Sequence, residues 1–359
     1  MRAAVLWEAG APLSVEDVEL EPPRAGEVQV RIAAAGVCRS DLHVMEGTWT
    51  PELPLVLGHE GAGVVEAVGP GVISPRVGDA VALSWVTACG RCRWCAGGHP
   101  ALCEIESHLN AMPDGTTRLH ARGREVRPFM TTACFAEQVI VPATQAVVLP
   151  AGADLEVAAL IGCAAMTGVG AVFSTAVVRP GESLAVIGCG GVGQCVVQGL
   201  RAAGAYPIIA IDRSEEALEL ARRSGATHTL LCGDAKATRK ASGGGVDVCF
   251  EVLGSSATIE QAYASLGPAG RAIIVGMPAH DATITINAFS LAAQGRSLIG
   301  SLYGSARPHL DVPRLVELEA AGRLDLASLI ARRYPLERIT EAYDDLRAGK
   351  PGRGVITFA

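Results

Sequence analysis

The chain has 359 residues, of which 49% are hydrophobic and 19% charged. This balance excludes an intrinsically disordered or polyelectrolyte protein, and at roughly 100–200 residues per domain the length predicts two domains. With 30 basic against 37 acidic side chains and a formal charge of -7, no cationic surplus exists to neutralise a phosphate backbone, so nucleic acid is not an expected partner.

Eleven cysteines are an odd number and too dilute for a disulfide scaffold, yet four of them crowd into one short stretch. No apolar run at the start is long enough for a signal-peptide core. Together these features predict a reducing, cytoplasmic setting and a bound metal.

In chain order, residues 3–148 show short β-like runs bounded by Gly and Pro, among them 28–32, 61–68, 80–83 and 138–141, which predicts an irregular, mostly β region. Asp154 or a neighbour is placed to cap the helix that follows. Residues 157–178 carry no charge and are long enough to span a bilayer. Gly162, Thr167, Gly168, Gly170, Ser174 and Thr175 interrupt that apolarity, so a buried helical layer is expected and a membrane is not.

From Ser183 onward, strands at 184–187, 208–211, 228–231, 246–252 and 271–275 alternate with helical stretches at 192–203, 215–224 and 257–266. Such alternation requires parallel crossovers and hence a doubly wound sheet. Gly243, Gly244 and Gly245 read as a flexible connection. Beyond Leu302 come helical patterns at 313–321 and 337–347 and an apolar strand at 355–358, too little for a domain, so this tail is expected to rejoin the first region. The predicted limits are 1–164, 165–301 and 302–359.

Gly188, Gly190 and Gly193 form G-x-G-x-x-G directly after an apolar strand and before a helical pattern, the context that gives this motif its meaning as a dinucleotide fingerprint. Gly191 and Val192 complete the turn, whose helix N-terminus offers amide donors and partial positive charge to a pyrophosphate. Asp212 ends the next strand, where an acid accepts from ribose hydroxyls and repels a 2′-phosphate, favouring NAD over NADP; Arg213 partly offsets that repulsion. Val275, at the end of the strand 271–275, joins this cofactor-binding set. The competing reading is a glycine-rich turn that binds nothing.

Cys89, Cys92, Cys95 and Cys103 give C-x2-C-x2-C-x7-C, four thiolates able to close a tetrahedron around Zn²⁺ with no open position. Their charge exceeds that of the ion, and Arg91 and Arg93 are placed to moderate it. An iron–sulfur cluster also uses four cysteines, but nothing else in the chain suggests a redox path. Cys38, His59 and Cys163 lie too far apart for spacing alone to join them. Taken singly, each reads as a buried small residue or a satisfied core histidine.

The segments 36–43 (GVCRSDLH), 58–69, the four-cysteine loop, 162–167 (GCAAMT) and 188–193 match in order and spacing a known family. Over essentially its whole length the chain resembles the zinc-dependent medium-chain alcohol dehydrogenases. The resemblance implies a GroES-like, mostly β catalytic domain beside a Rossmann doubly wound parallel sheet, two zinc ions per chain, and NAD. It further implies that Cys38, His59 and Cys163 hold a catalytic zinc with an open fourth position, that Glu60 lies behind the metal as a transient ligand, and that Asp41 fixes the ring of His59.

By the same resemblance Ser40 and His43 carry the proton relay, Arg39 and Arg353 contact the pyrophosphate, Thr167 lies near the nicotinamide, and Ser40, Trp49 and Trp85 line the substrate pocket. The implied reaction interconverts an alcohol and its aldehyde or ketone by hydride transfer from a zinc-bound alkoxide. Self-association as a homodimer or homotetramer is expected, with residues 297–304 as an edge strand.

One departure bears on the substrate. The branch that acts on S-hydroxymethyl thiol conjugates uses an arginine shortly after the fourth loop cysteine, where this chain has Glu104 and Glu106. A neutral alcohol or aldehyde is therefore expected, with a thiol-conjugate formaldehyde dehydrogenase as the second reading. A non-catalytic NAD-sensing scaffold is a third, opposed by the retention of Cys38, His59, Cys163, Ser40 and His43.

Overall fold

The computed structural model describes residues 1–104 and 110–358. The chain divides into two compact units, Met1–Cys163 with Arg307–Leu318 and Leu326–Ala359, and Ala164–Ala306 with Glu319–Asp325. The expected limits at 164/165 and 301/302 thus differ from the observed breaks by one and five residues. The later break follows from packing around Gly304: a Cβ there would fall 2.3 Å from the carbonyl oxygen of Met166, so the segment rests on the helix Met166–Gly170. Glu319–Asp325 belongs to the second unit because Gln198 exchanges two hydrogen bonds of 2.8 Å with the backbone of Asp325.

In the first unit the strand Glu27–Gly36 is central. Val28, Val30 and Ile32 are buried while Arg31 is exposed, the two-residue alternation of a half-solvated strand. It pairs antiparallel with Gly61–Val68, Gln138–Pro142 and Arg353–Thr357. The partner Arg353–Thr357 brings the C-terminal tail home, with Val355 opposite Gly36. A second sheet of six short strands, Arg2–Leu6 among them, completes this unit.

Asp154 caps the helix Leu155–Leu160, its carboxylate accepting from the amides of Glu156 and Val157 at 2.8 and 3.3 Å. The helical run from Leu155 to Thr175 contains two wide π turns, Ile161–Ala165 and Ala171–Thr175, and 78% of its most apolar window is buried. That burial is reason enough for its uncharged composition.

The second unit holds a parallel six-stranded sheet in the order His228–Leu231, Ile208–Asp212, Leu184–Ile187, Val246–Glu251, Leu266–Ile274 and Ser297–Gly300. The chain order reverses between Leu184–Ile187 and Val246–Glu251, the switch point where such sheets open a crevice. Leu184, Val186, Val248 and Phe250 form one apolar face with Val196 and Leu200 of the helix Gly191–Ala202. Ala185, Ile187 and Cys249 form the other with Ala262 and Tyr263.

Three readings need correction. Gly243–Gly245 is a tight turn and not a loose connection: a Cβ on Gly245 would stand 2.5 Å from the amide of Gly267. The fifth strand begins at Leu266 rather than 271, running through Gly267, Pro268 and Gly270 across a register shift. The edge strand expected at 297–304 ends at Gly300, because the chain turns at Tyr303–Ser305.

Candidate active site and metal centres

Cys38, His59, Glu60 and Cys163 come from three well-separated segments of the first unit, and their ligand atoms all lie within 4.8 Å of one another. Cys38 precedes the helix Arg39–Met45. His59 and Glu60 stand just before the strand Gly61–Val68. Cys163 lies in the first π turn, a local widening frequent at functional sites. All four are buried. Asp41 Oδ1 accepts from the backbone amide of Gly58 at 2.9 Å and lies 3.2 Å from Nδ1 of His59. A carboxylate can only accept, so Nδ1 is the donor in that contact, and Nε2 is buried without a partner.

The electrostatics favour a cation here. The hydrogen bond shared with Cys163 lowers the Cys38 thiol well below its usual range against the effect of burial, with His59 and Arg353 assisting. The same bond and burial push the Cys163 thiol up. For His59, burial opposes protonation, but Asp41 and Cys38 outweigh it and raise the ring well above its ordinary value. Burial raises Glu60 to about 7 despite Arg353, with Cys38 adding to the rise. Two thiols and one imidazole with an unpartnered Nε2 are a three-donor set suited to Zn²⁺ with a fourth position for an exchangeable ligand, and the Glu60 carboxyl, its Oε1 also unpartnered, stands beside that set.

Arg353, expected at a pyrophosphate, is buried and donates from Nη2 to Oε2 of Glu60. Only that one donor is engaged by the carboxylate, since Nε of the same guanidinium has no partner. Gly36 makes room for that carboxylate, since a Cβ there would meet Glu60 Oε2 at 2.1 Å. Arg39 is exposed.

The four-cysteine loop is built differently. The sulfurs of Cys89, Cys92, Cys95 and Cys103 again lie within 4.8 Å of one another, and Cys89 and Cys95 are 4.0 Å apart. A tetrahedron with Zn–S bonds of about 2.3 Å has an edge of about 3.8 Å, so the sulfurs are spaced for zinc. Backbone amides of Cys89, Cys92 and Cys95 donate to the sulfurs of Cys103, Cys89 and Cys92 at 3.3–3.4 Å. Donation from the amides of Cys95 and Glu104 takes Cys92 down to about 6, whereas burial pushes Cys95 up to about 12. Arg93 pairs with Glu104 at 3.2 Å, so it answers a carboxylate as well as the loop. Glu106 lies outside the described residues.

In the second unit the glycine motif opens the helix Gly191–Ala202. Over Gly190 a Cβ would meet nothing within 4 Å, whereas on Gly193 it would strike the Gly188 carbonyl oxygen at 1.9 Å. The first has open space over its Cα; the second lets helix and turn close together. Asp212 accepts from the amides of Cys189 at 2.7 Å and Ser214 at 2.9 Å, which fixes its carboxylate beside the turn. Arg213 is exposed, Val192 half-buried and Val275 buried. Thr167 is half-buried in the helix Met166–Gly170.

Ser40 Oγ lies 3.8 Å from Cys38 Sγ. The His43 ring stacks at a tilt on Trp49, centroids 5.3 Å apart. Burial, then Arg39, lowers its basicity, partly countered by Cys38 and Glu46. Trp85 is buried.

Two neighbours were not legible in the sequence. Phe129 meets the His59 ring edge-on at 5.8 Å, and Tyr343, fully buried, approaches Asp41, with burial and then that carboxylate raising its phenol. Phe129 opens a segment in which Met130, Thr131 and Ala133 all take positive φ, strain of a kind that gathers at functional sites. No sequence motif announces either residue.

A β unit bearing two metal-ligand clusters, together with a parallel-sheet unit whose glycine turn sits at the switch point, defines a zinc-binding dehydrogenase. Residues 24–151 match the alcohol dehydrogenase GroES-like domain and residues 191–320 the zinc-binding dehydrogenase domain. The chain belongs to the zinc-dependent medium-chain alcohol dehydrogenase family, an oxidoreductase family, with a GroES-like and a Rossmann-like domain.

Among solved structures, the chain is similar to an alcohol dehydrogenase zinc-binding domain protein from Burkholderia ambifaria, with 39% identity and TM-score 0.96 over 100% of this chain and 98% of that one. It is similar to the benzyl alcohol dehydrogenase of Acinetobacter calcoaceticus, with 32% identity and TM-score 0.95 over 100% and 99%. It also resembles an alcohol dehydrogenase of Thermus sp. ATN1, with 28% identity and TM-score 0.86 over 100% of both.

Proposed function

We propose that the protein interconverts a neutral alcohol with its aldehyde or ketone, using NAD, one catalytic zinc and one structural zinc. When bound, zinc supplies the Lewis acid that acidifies an alcohol hydroxyl, and NAD supplies the hydride acceptor. Cys38, His59 and Cys163 would hold the catalytic ion, and Cys89, Cys92, Cys95 and Cys103 the structural one. The observation that carries this reading is the convergence of the Cys38, His59 and Cys163 donors, with His59 Nε2 left bare.

Asp41 keeps the His59 proton on Nδ1. Ser40 Oγ takes the hydroxyl proton of the substrate, and His43, less basic than a free histidine, carries a proton towards solvent. Glu60 and Arg353 hold each other behind the ligands. Gly188, Gly190 and Gly193 cradle the dinucleotide phosphates, and Asp212 accepts from the adenosine ribose, which disfavours a 2′-phosphate against the partial offset of Arg213. Trp49 and Trp85 give the pocket an apolar wall, and the similarity to a benzyl alcohol dehydrogenase makes aromatic primary alcohols the first class to test.

The test pairs zinc analysis with absorbance of NADH formed from a panel of aliphatic, aromatic and S-hydroxymethyl thiol substrates. Two zinc per chain with turnover of neutral alcohols supports the proposal. One zinc and no turnover contradicts it, and preference for the anionic conjugate redirects it to formaldehyde dehydrogenase chemistry.

A further inference from the structure

Glu251 ends the strand Val246–Glu251 at the switch point, opposite Ile187 on one side and Ile274 on the other. Its side chain is fully buried, and among the described residues no cation lies within ion-pairing distance. A buried carboxylate without a counter-ion is costly unless hydrogen bonds satisfy it. Here Oε1 alone accepts from the amides of Leu253 and Gly254 and from Thr258 Oγ1, each at 2.8 Å, while Oε2 has no donor. Thr258 lies in the first turn of the helix Ser256–Ala264, so the helix N-terminus also favours the negative charge.

The backbone carbonyl of the same residue accepts from the amides of Val275 at 2.8 Å and Gly276 at 3.0 Å. Glu251 therefore ties together the loops that follow two adjacent strands. Those loops are themselves in backbone contact: a Cβ on Gly276 would fall 2.1 Å from the Gly254 amide. Leu253 then reaches the third loop, where a Cβ on Gly188 would meet its Cγ at 2.7 Å. The first glycine of the nucleotide turn thus rests on a side chain whose own backbone Glu251 holds.

We propose that Glu251 is a positioning residue for the nucleotide site, fixing the Leu253–Gly254 loop against Gly188 and, through its carbonyl, the approach of Val275. The inference rests on the proposed use of NAD. Removing the carboxyl frees three donors and lets the loop leave the turn, and loss of an acceptor for buried donors weakens nucleotide binding by about tenfold. Glu251→Gln keeps the Oε1 acceptor and restores it.

The experiment is calorimetric titration of NADH into the zinc-loaded full-length chain and its Glu251→Ala and Glu251→Gln variants, with thermal melts alongside. Expected are one site per chain in all three, a Kd raised about tenfold in Glu251→Ala, and a Kd within about twofold of wild type in Glu251→Gln. A purely structural role would lower Tm in Glu251→Ala while its folded fraction bound NADH with the wild-type Kd, and that result overturns the assignment. If Glu251→Ala does not fold, Thr258→Val decides: a Kd raised about threefold supports the inference, and an unchanged one refutes it. No NADH binding by the wild type would instead remove the NAD reading on which the inference depends.

Discussion

The two cysteine clusters of the first unit use the same sulfur chemistry under opposite conditions. In Cys89, Cys92, Cys95 and Cys103 the ligands are close in sequence, three of the four are only partly buried, and backbone amides stabilise their sulfurs. The Cys38, His59 and Cys163 cluster gathers its ligands from three separate segments, with Cys163 more than a hundred residues beyond the other two, and buries every one. Side chains balance it: Asp41 behind His59, and Arg353 behind Glu60. A cluster with four equivalent ligands is full when the metal enters, which suits it to holding a loop. One with three ligands and a held-back carboxylate leaves a place for exchange, which suits it to chemistry.

The comparison can be broken by substitution, and the largest effect is expected at the contiguous loop. Cys103→Ser should remove the loop zinc, lower Tm by about 10 °C and promote aggregation, because structural zinc contributes directly to folding; calorimetry and metal analysis check it. Cys38→Ser should lower turnover by about 10³-fold, since loss of the Lewis acid forfeits several kcal/mol. It should melt within a few degrees of wild type and retain one zinc per chain. If Cys38→Ser retains ordinary activity, the catalytic ligands are misassigned.

Two smaller changes sharpen the contrast by acting behind the ligands. Arg353→Ala leaves the Glu60 carboxyl buried without its cation and should cost about 3 kcal/mol in denaturant unfolding, with the loop zinc unaffected. Asp41→Asn should weaken zinc at the assembled site by about tenfold. In a chelator competition that zinc should leave sooner than in the wild type while the loop zinc leaves at the wild-type rate. Equal loss from both sites would show that the two centres are not independent.

Much of this was legible in the sequence, because it depends on local pattern. Gly61–Val68, Ala80–Leu83 and Glu215–Ser224 are bounded in the structure as their residues predict, and the C-x2-C spacing and the glycine turn are local signals as well. What depends on tertiary packing was hidden. The strand Leu266–Ile274 passes through Gly267, Pro268 and Gly270, residues that read as breakers until the pairing with Val246–Glu251 is known. The strand Ile330–Pro335 was missed because it owes its place to Arg353–Thr357. At the site, Cys38 and Cys163 carry no spacing signal of their own and were joined only by family resemblance. Arg353 pairs with Glu60, a contact across 293 residues of chain that no local pattern encodes.

The central claim is that the assembled cluster binds a metal with one exchangeable position while the loop cluster does not. Replacing zinc by cobalt and recording the visible spectrum during titration with imidazole tests it directly. The account predicts two cobalt ions per chain, one whose bands shift with imidazole and one that is unmoved, and loss of only the responsive signal in Cys38→Ser. Two unresponsive ions, or a single ion confined to the four-cysteine loop in the wild type, would contradict it.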